Sequence, residues 1–182
     1  NLLGFWHLGA RNLLVPSPRP PSNLRRVFEN YKVTWMTGVN TLFNVLLNEA
    51  QFETLDFRSL RLAFGGGMAI QQAVAQRWVA VTGRPLIEGY GLSETSPVVT
   101  ANPTNAQAYS GSIGLPLPST ELRIVDDEGE ELPWDGVAYG ALQVRGPWIC
   151  SDYYKLAGNA GAHTDDGWFG TGDVATINPQ GY

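Results

Sequence analysis

The residues Glu88-Gly89-Tyr90-Gly91-Leu92-Ser93-Glu94-Thr95-Ser96-Pro97 put two glycines, one aromatic ring, three hydroxyl side chains and two carboxylates into ten positions. Glycine tolerates backbone shapes that other residues resist, and it lets a ligand approach the main chain closely. Tyr90, held between Gly89 and Gly91, is a flat face on an open backbone, suited to stacking on an aromatic ligand. Ser93 can donate to an anionic oxygen. Glu94 can hold a hard cation such as Mg²⁺ through its carboxylate. Ring, hydroxyl and carboxylate together describe a site for a nucleotide with a metal-bound phosphate.

Two further stretches bear on such a site. Gly65-Gly66-Gly67 lacks the Gly-Lys-Ser/Thr ending of a P-loop and the spacing of a dinucleotide fingerprint. It reads equally as a ligand-lining backbone or as a flexible strand-to-helix turn. Asp173 follows Thr171-Gly172, and a carboxylate can accept from both hydroxyls of a ribose at once. The plain alternative is a turn aspartate capping its own backbone. Glu88 either contacts the edge of a base or satisfies the turn. His7 and His163 show no metal-ligand spacing.

The elements that must position these residues follow from periodicity. Leu2 to Leu8 is expected to be helical. Leu13-Leu14-Val15, stopped by Pro16, reads as a short buried strand. Pro16 to Pro21 must be an extended turn, and Ser22 is a plausible N-cap. Leu24, Val27, Phe28 and Tyr31 fall on one helical face. Val33-Thr34-Trp35-Met36 has strand character. Val39, Leu42, Phe43, Leu46, Leu47 and Ala50 repeat at helical spacing. Leu62-Ala63-Phe64 is a short apolar run before the glycines. Ile70, Ala73, Val74, Trp78 and Val81 form another helical stripe, closed by Gly83 and Pro85. Leu86-Ile87 is a buried strand that leads into the Tyr90 turn. Strand–helix–strand alternation predicts an α/β fold, a mostly parallel sheet covered by helices, with ligands beyond the carboxyl ends of the strands.

The pattern changes near residue 108. Glu121 to Val125 alternates at period two, Asp126-Asp127-Glu128-Gly129 is a turn, and Leu142-Gln143-Val144 alternates again. Val174 to Ile177 ends the series. Residues 109–182 therefore read as a small antiparallel sheet or open barrel, set against an α/β part over 1–108. The acidic run Asp126 to Glu131 is a solvated hairpin tip rather than a metal site.

At the motifs just described the chain resembles the adenylate-forming enzymes, and within them the bacterial long-chain fatty-acid–CoA ligases. Glu88 to Pro97 is similar to their signature turn Tyr-Gly-Leu-Thr-Glu, with Ser93 for the usual Thr. Gly167-Trp168-Phe169-Gly170-Thr171-Gly172-Asp173 resembles their Trp-x-x-Thr-Gly-Asp signature. Phe64-Gly65-Gly66-Gly67-Met68 and Thr37-Gly38-Val39-Asn40-Thr41-Leu42-Phe43 look like the fatty-acyl branch. The resemblance implies a nucleotide site formed by Gly65, Gly66, Gly67, Glu88, Gly89, Tyr90, Gly91, Ser93 and Asp173. In it, Tyr90 stacks on adenine and Asp173 takes the ribose. It implies catalytic roles for Ser93 and Glu94, with Glu94 as the Mg²⁺ ligand. It also places Trp35, Val39, Asn40 and Phe43 along the acyl tunnel, although an apolar helix stripe is usually plain core. ATP/AMP, Mg²⁺ and CoA are the implied cofactors and co-substrates, and a fatty acid the implied acid.

Some positions depart from the family pattern. Ser151-Asp152-Tyr153-Tyr154 replaces a Gly-Tyr pair, Ala141 stands where a Glu often follows Gly140, and Phe169-Gly170 replaces a bulkier pair. The resemblance further implies that this is an internal segment of a longer protein. The phosphate loop with its Lys, and the C-terminal domain with the adenylation Lys, are expected outside it. The segment alone is expected to be inactive. An aryl- or amino-acid-activating ligase and a non-catalytic nucleotide- or acyl-binding module are the alternatives.

Composition excludes other classes. A chain of 182 residues is one domain or two small ones, and 43% hydrophobic residues suffice for a core. The net charge of −5, with 12 scattered basic residues, argues against a nucleic-acid partner. The single cysteine, Cys150, forms no internal disulfide, reads as a small core residue and points to a reducing, cytoplasmic setting. No apolar run reaches the ~20 residues that span a bilayer. Peripheral contact with the inner face of a membrane and oligomerisation both stay compatible with the sequence.

Overall fold

The structure is a computed structural model that describes residues 2–151, 153 and 163–182. Two sheets organise it. The first contains β1 (Trp35–Gly38), β2 (Leu62–Gly65), β3 (Leu86–Tyr90), β4 (Thr100–Ala101) and β5 (Leu115–Pro116) in that spatial order. The second contains β6 (Glu121–Val125), β7 (Tyr139–Arg145) and β8 (Phe169–Thr176). Among the described residues the α-helices are α1 (Leu2–His7), α2 (Ser22–Asn30), α3 (Asn40–Leu47) and α4 (Gln72–Thr82).

β1, β2 and β3 pair in parallel, with Met36 opposite Ala63 and Ala63 opposite Leu86. Helical crossovers α3 and α4 make those parallel pairings possible. β4 and β5 then add antiparallel, so the sheet is mixed. The helices cover it as the periodicity predicts. Phe43, Leu46 and Leu47 of α3 and Val74, Ala75 and Trp78 of α4 are buried in one core with Phe52, Leu60, Ile70 and Leu86. Phe43 meets Trp78 edge-on at 4.9 Å between centroids, a favoured aromatic geometry. In α4 it is Ala75, not Ala73, that turns inward, and Ile70 precedes the helix.

The second sheet is antiparallel throughout, and among the described residues it stays an open three-stranded sheet and not a barrel. Its inner face is Leu122, Ile124, Leu142, Val144 and Phe169, closed by Val99 and Ile177. Tyr90 and Leu92 pack against this cluster, so the end of β3 touches the second core.

Two local expectations are corrected. Leu13-Leu14-Val15 forms no strand, and Leu14 is exposed. An apolar run is not enough for a strand without a neighbour to pair its backbone, and here Leu13 and Val15 instead wall a cavity. Ser22 is not the cap of α2 but its first residue. Pro21 takes the cap position without a side-chain bond, and Asn23 ties the helix start to the proline turn through the Ser17 and Arg19 carbonyls.

Candidate functional site

The organising turn begins inside β3, which runs through Tyr90. Beyond it the chain makes a short 3-10 turn at Ser93–Thr95 and doubles back. Thr95 is the fixed point of this turn. Its hydroxyl donates toward the Leu92 and Pro97 carbonyls and accepts from the Leu92 N–H at 2.8 Å. Gly91 is required by the close return of the chain, because a Cβ there would lie 1.7 Å from the Pro97 carbonyl oxygen. Gly89 is equally enclosed, by the Phe64 ring and the Thr100 carbonyl.

Asp173 comes from β8, at a bulge. Ala141 pairs with Val174 and Gln143 with Gly170, so Thr171, Gly172 and Asp173 all face the single residue Leu142. The Thr171 hydroxyl repairs the ladder there. It donates to the Leu142 carbonyl at 2.9 Å and accepts from the Asp173 N–H at 3.1 Å. Gly172 takes φ +80°, a region other residues rarely adopt. Bulges re-aim side chains, and this one points Asp173 at Tyr90.

The Tyr90 hydroxyl donates to the Asp173 carboxylate across 83 positions of sequence. Burial pushes the Tyr90 phenol up to about 12, and the Asp173 carboxylate beside it adds to the rise. Ring and acid therefore share one place, on the seam between the two sheets.

Glu94 lies on the same turn, half-exposed. Its Oε1 accepts from the Tyr153 hydroxyl at 2.8 Å, which holds its carboxyl below the ordinary range, and its backbone carbonyl accepts from the Cys150 N–H at 2.7 Å. Among the described residues no three His, Cys, Asp or Glu side chains gather as a metal cluster. A Mg²⁺ held by one carboxylate and substrate phosphates does not need such a cluster, so Glu94 fits that arrangement. Ser93 beside it is exposed. Asp152 and Tyr154, two of the positions that depart from the family pattern, lie outside the described residues.

Glu88 is buried and its Oε1 accepts from the Ile70 N–H at 2.8 Å. Burial pushes its carboxyl up, and the Ile70 bond partly opposes that. Tyr109 completes the brace by donating to the Ile70 carbonyl at 2.6 Å. In this structure the Glu88 side chain thus secures the glycine loop to the turn. Of the three glycines, Gly65 is buried, with Ile70 and Leu86 filling the space beside it. Gly66 lies against the Gly89 carbonyl, and Gly67 is exposed.

The four acyl candidates separate. Trp35 stacks near Phe64 and meets Phe5 edge-on at 4.9 Å, and it walls a cavity of about 720 Å³ between α1, α2 and β1. Phe5, Leu13, Val15, Leu24 and Val27 line it with Trp35. Phe43 is fully buried in the helix core, Asn40 accepts from the Gln71 N–H at 2.9 Å, and Val39 is exposed; none of the three lines that cavity. The cavity shares no wall with the Tyr90–Asp173 pair.

Several contacts had no sequence signal. Tyr153 reaching Glu94 spans 59 positions, and nothing in either neighbourhood marks the pair. Asn102 braces β3 by donating to the Glu88 carbonyl from both its backbone and side-chain nitrogens. The Arg123 and Arg145 guanidiniums lie over the Trp168 ring at 4.5 and 4.6 Å, with Asp166 and Glu121 as their ion partners. Such cation–π contacts fix the strand that leads to Thr171.

Known proteins match this chain along its whole length. The family described as AMP-binding enzyme matches residues 1–154. A long-chain-fatty-acid–CoA ligase of Yersinia pestis is 47% identical over all 182 residues, which cover 32% of that protein. Its namesake in Thermus thermophilus is 36% identical over 187 aligned residues, covering 96% of this chain and 34% of that protein. The chain thus spans about a third of the length of the curated relatives it matches. Among solved structures, the anthranilate CoA ligase AuaEII in complex with anthranoyl-AMP superposes with a TM-score of 0.89 at 28% identity, over 100% of this chain and 35% of that one. ATP-bound MatB from Rhodopseudomonas palustris superposes at 0.77 with 29% identity, over 89% of this chain and 32% of that one.

Proposed function

Since this chain belongs to the AMP-binding enzyme family, we propose that it is the adenosine-gripping portion of an ATP-dependent long-chain fatty-acid–CoA ligase. The observation that carries the reading is the contact of the Tyr90 hydroxyl with the Asp173 carboxylate, which joins two signatures 83 positions apart at one seam. Identity of 47% to a ligase named for long-chain fatty acids, against 28% to one named for anthranilate, favours an aliphatic acid over an aryl one.

In the proposed reaction a fatty carboxylate attacks the α-phosphate of ATP and expels pyrophosphate, leaving acyl-AMP. The thiol of CoA then attacks the acyl carbon and expels AMP. Tyr90 stacks on the adenine, and Asp173 accepts from the ribose hydroxyls. Residues 1–108 supply the base and metal side of the site, and residues 109–182 supply the sugar side. Gly66 and Gly67 let backbone pass close to the nucleotide, whereas Gly65, Gly89 and Gly91 let the surrounding chain close around the turn and Glu88 keeps the two loops together. Ser93 donates to the phosphate. Glu94 would hold Mg²⁺, which when bound neutralises charge on the phosphates. The aliphatic chain lies in the cavity walled by Trp35; its size falls in the range of small-molecule sites.

Among the described residues no helix is long and apolar enough to cross a membrane. We place the reaction in the cytoplasm, with peripheral contact at the inner membrane face where the acid partitions.

ATP–pyrophosphate exchange by the full-length protein, run across fatty, aryl and amino acids, tests the assignment. A long-chain fatty acid is expected to give the highest kcat/KM. An amino acid or aryl acid as best substrate would overturn it.

A further inference from the structure

Resting on that reading, we infer that the Tyr90 hydroxyl is a positioning group for Asp173, so that one tyrosine serves both the base and the sugar of the nucleotide. Asp173 is solvent-exposed and stands on a bulge. Its backbone N–H is fixed by Thr171, but that bond leaves the side-chain torsions free. Among the described residues, the side chain that meets its carboxylate is Tyr90, whose hydroxyl donates to Oδ2. Without that donor an exposed aspartate samples its rotamers and meets water. With it, the carboxylate is held in a single orientation. Each carboxylate oxygen can accept more than one hydrogen bond, so the phenol leaves capacity for both hydroxyls of a vicinal diol.

The donor is itself held. The Tyr90 ring packs against the core of the second sheet, and its backbone N–H and carbonyl belong to β3 and its pairing with Val99 and Thr100. Rigidity therefore passes from a buried strand, through a phenol, to an exposed acid on another sheet. The residue that chooses the base also sharpens the choice of sugar: recognition of ribose over deoxyribose depends on an oxygen that never touches the sugar.

The test keeps the ring and removes the oxygen. Affinities for ATP, 2′-deoxy-ATP and 3′-deoxy-ATP are measured by calorimetry on the full-length protein and on its Tyr90→Phe and Asp173→Asn variants, with thermal unfolding as the check on folding. Tyr90→Phe is expected to weaken ATP by at least about tenfold, the scale of a lost hydrogen bond to an ionised group. It is expected to weaken the deoxy analogues less, so that ribose preference shrinks toward that of Asp173→Asn. A structural role alone would weaken all three nucleotides equally and leave the preference intact, which overturns the inference. Unchanged or tighter ATP binding in Tyr90→Phe, beside lost preference in Asp173→Asn, also overturns it while leaving the adenosine site standing. No effect of either variant removes both the inference and the site.

Discussion

A Cβ on Gly91 would sit 1.7 Å from the Pro97 carbonyl oxygen, whereas a Cβ on Gly172 would meet nothing within 4 Å. Those two glycines flank the two ends of the proposed adenosine grip. The Tyr90 end is a packed frame: a strand buried along Leu86 to Gly89, a returning chain, and the Thr95 hydroxyl pinning the turn. The Asp173 end is an open strand edge, shaped by one bulge and one hydroxyl. The stacking surface is preformed by packing, while the acid acquires its orientation from single polar contacts, one of them with the packed end.

The largest expected effect lies on the packed side. Gly91→Ala must move backbone and not a side-chain tip, and should cost roughly 4 kcal/mol or prevent folding. Gly172→Ala has the space and faces only the left-handed backbone region, so it should cost about 1–2 kcal/mol. Urea unfolding of both variants measures the contrast, and equal losses would mean the two ends are not built differently.

Thr171→Val comes next. It removes the acceptor for the Asp173 N–H and the donor to the Leu142 carbonyl, at a cost of about 1–2 kcal/mol. Nucleotide affinity should fall with it, and Thr171→Ser should restore both. Full affinity in the valine variant would show that the bulge does not aim the acid.

The smallest effect is a pH dependence. The Tyr90 phenol is raised by burial to about 12, above its ordinary value near 10. Its neutral form is favoured by the fold, so its contribution to stability is complete below pH ~10 and is lost as pH rises through about 12. Tyr90→Phe should flatten the fall in unfolding midpoint across that window relative to the parent, which isolates Tyr90 from the other tyrosines among the chain's seven. Identical slopes would place the phenol in water.

The same contrast explains what the sequence made legible. Periodicity announced the first sheet because α3 and α4 bury every third or fourth side chain against it, as Phe43, Leu46, Val74 and Trp78 do. That regularity does not separate a tunnel stripe from a core stripe: Phe43 fits both, and the structure packs it on Trp78. Leu13 to Val15 shows the limit of composition, because strand pairing needs a partner that no local pattern supplies. The Tyr90 turn stood out through residue types alone, whereas Thr171-Gly172-Asp173 reads by itself as an ordinary turn and stood out only through the family resemblance. Their meeting was implied only by the family resemblance, while Tyr153 on Glu94 and the Glu88 bond to Ile70 had no pointer at all, since each joins positions that only the folded chain brings together.

The adenosine grip requires one nucleotide to bridge both ends, and a crystal structure of the full-length protein with AMP measures that directly. The predicted result is adenine stacked on the Tyr90 ring with the ribose hydroxyls within hydrogen-bond distance of the Asp173 carboxylate. AMP bound with its ribose away from Asp173, or its base off the Tyr90 ring, would contradict it.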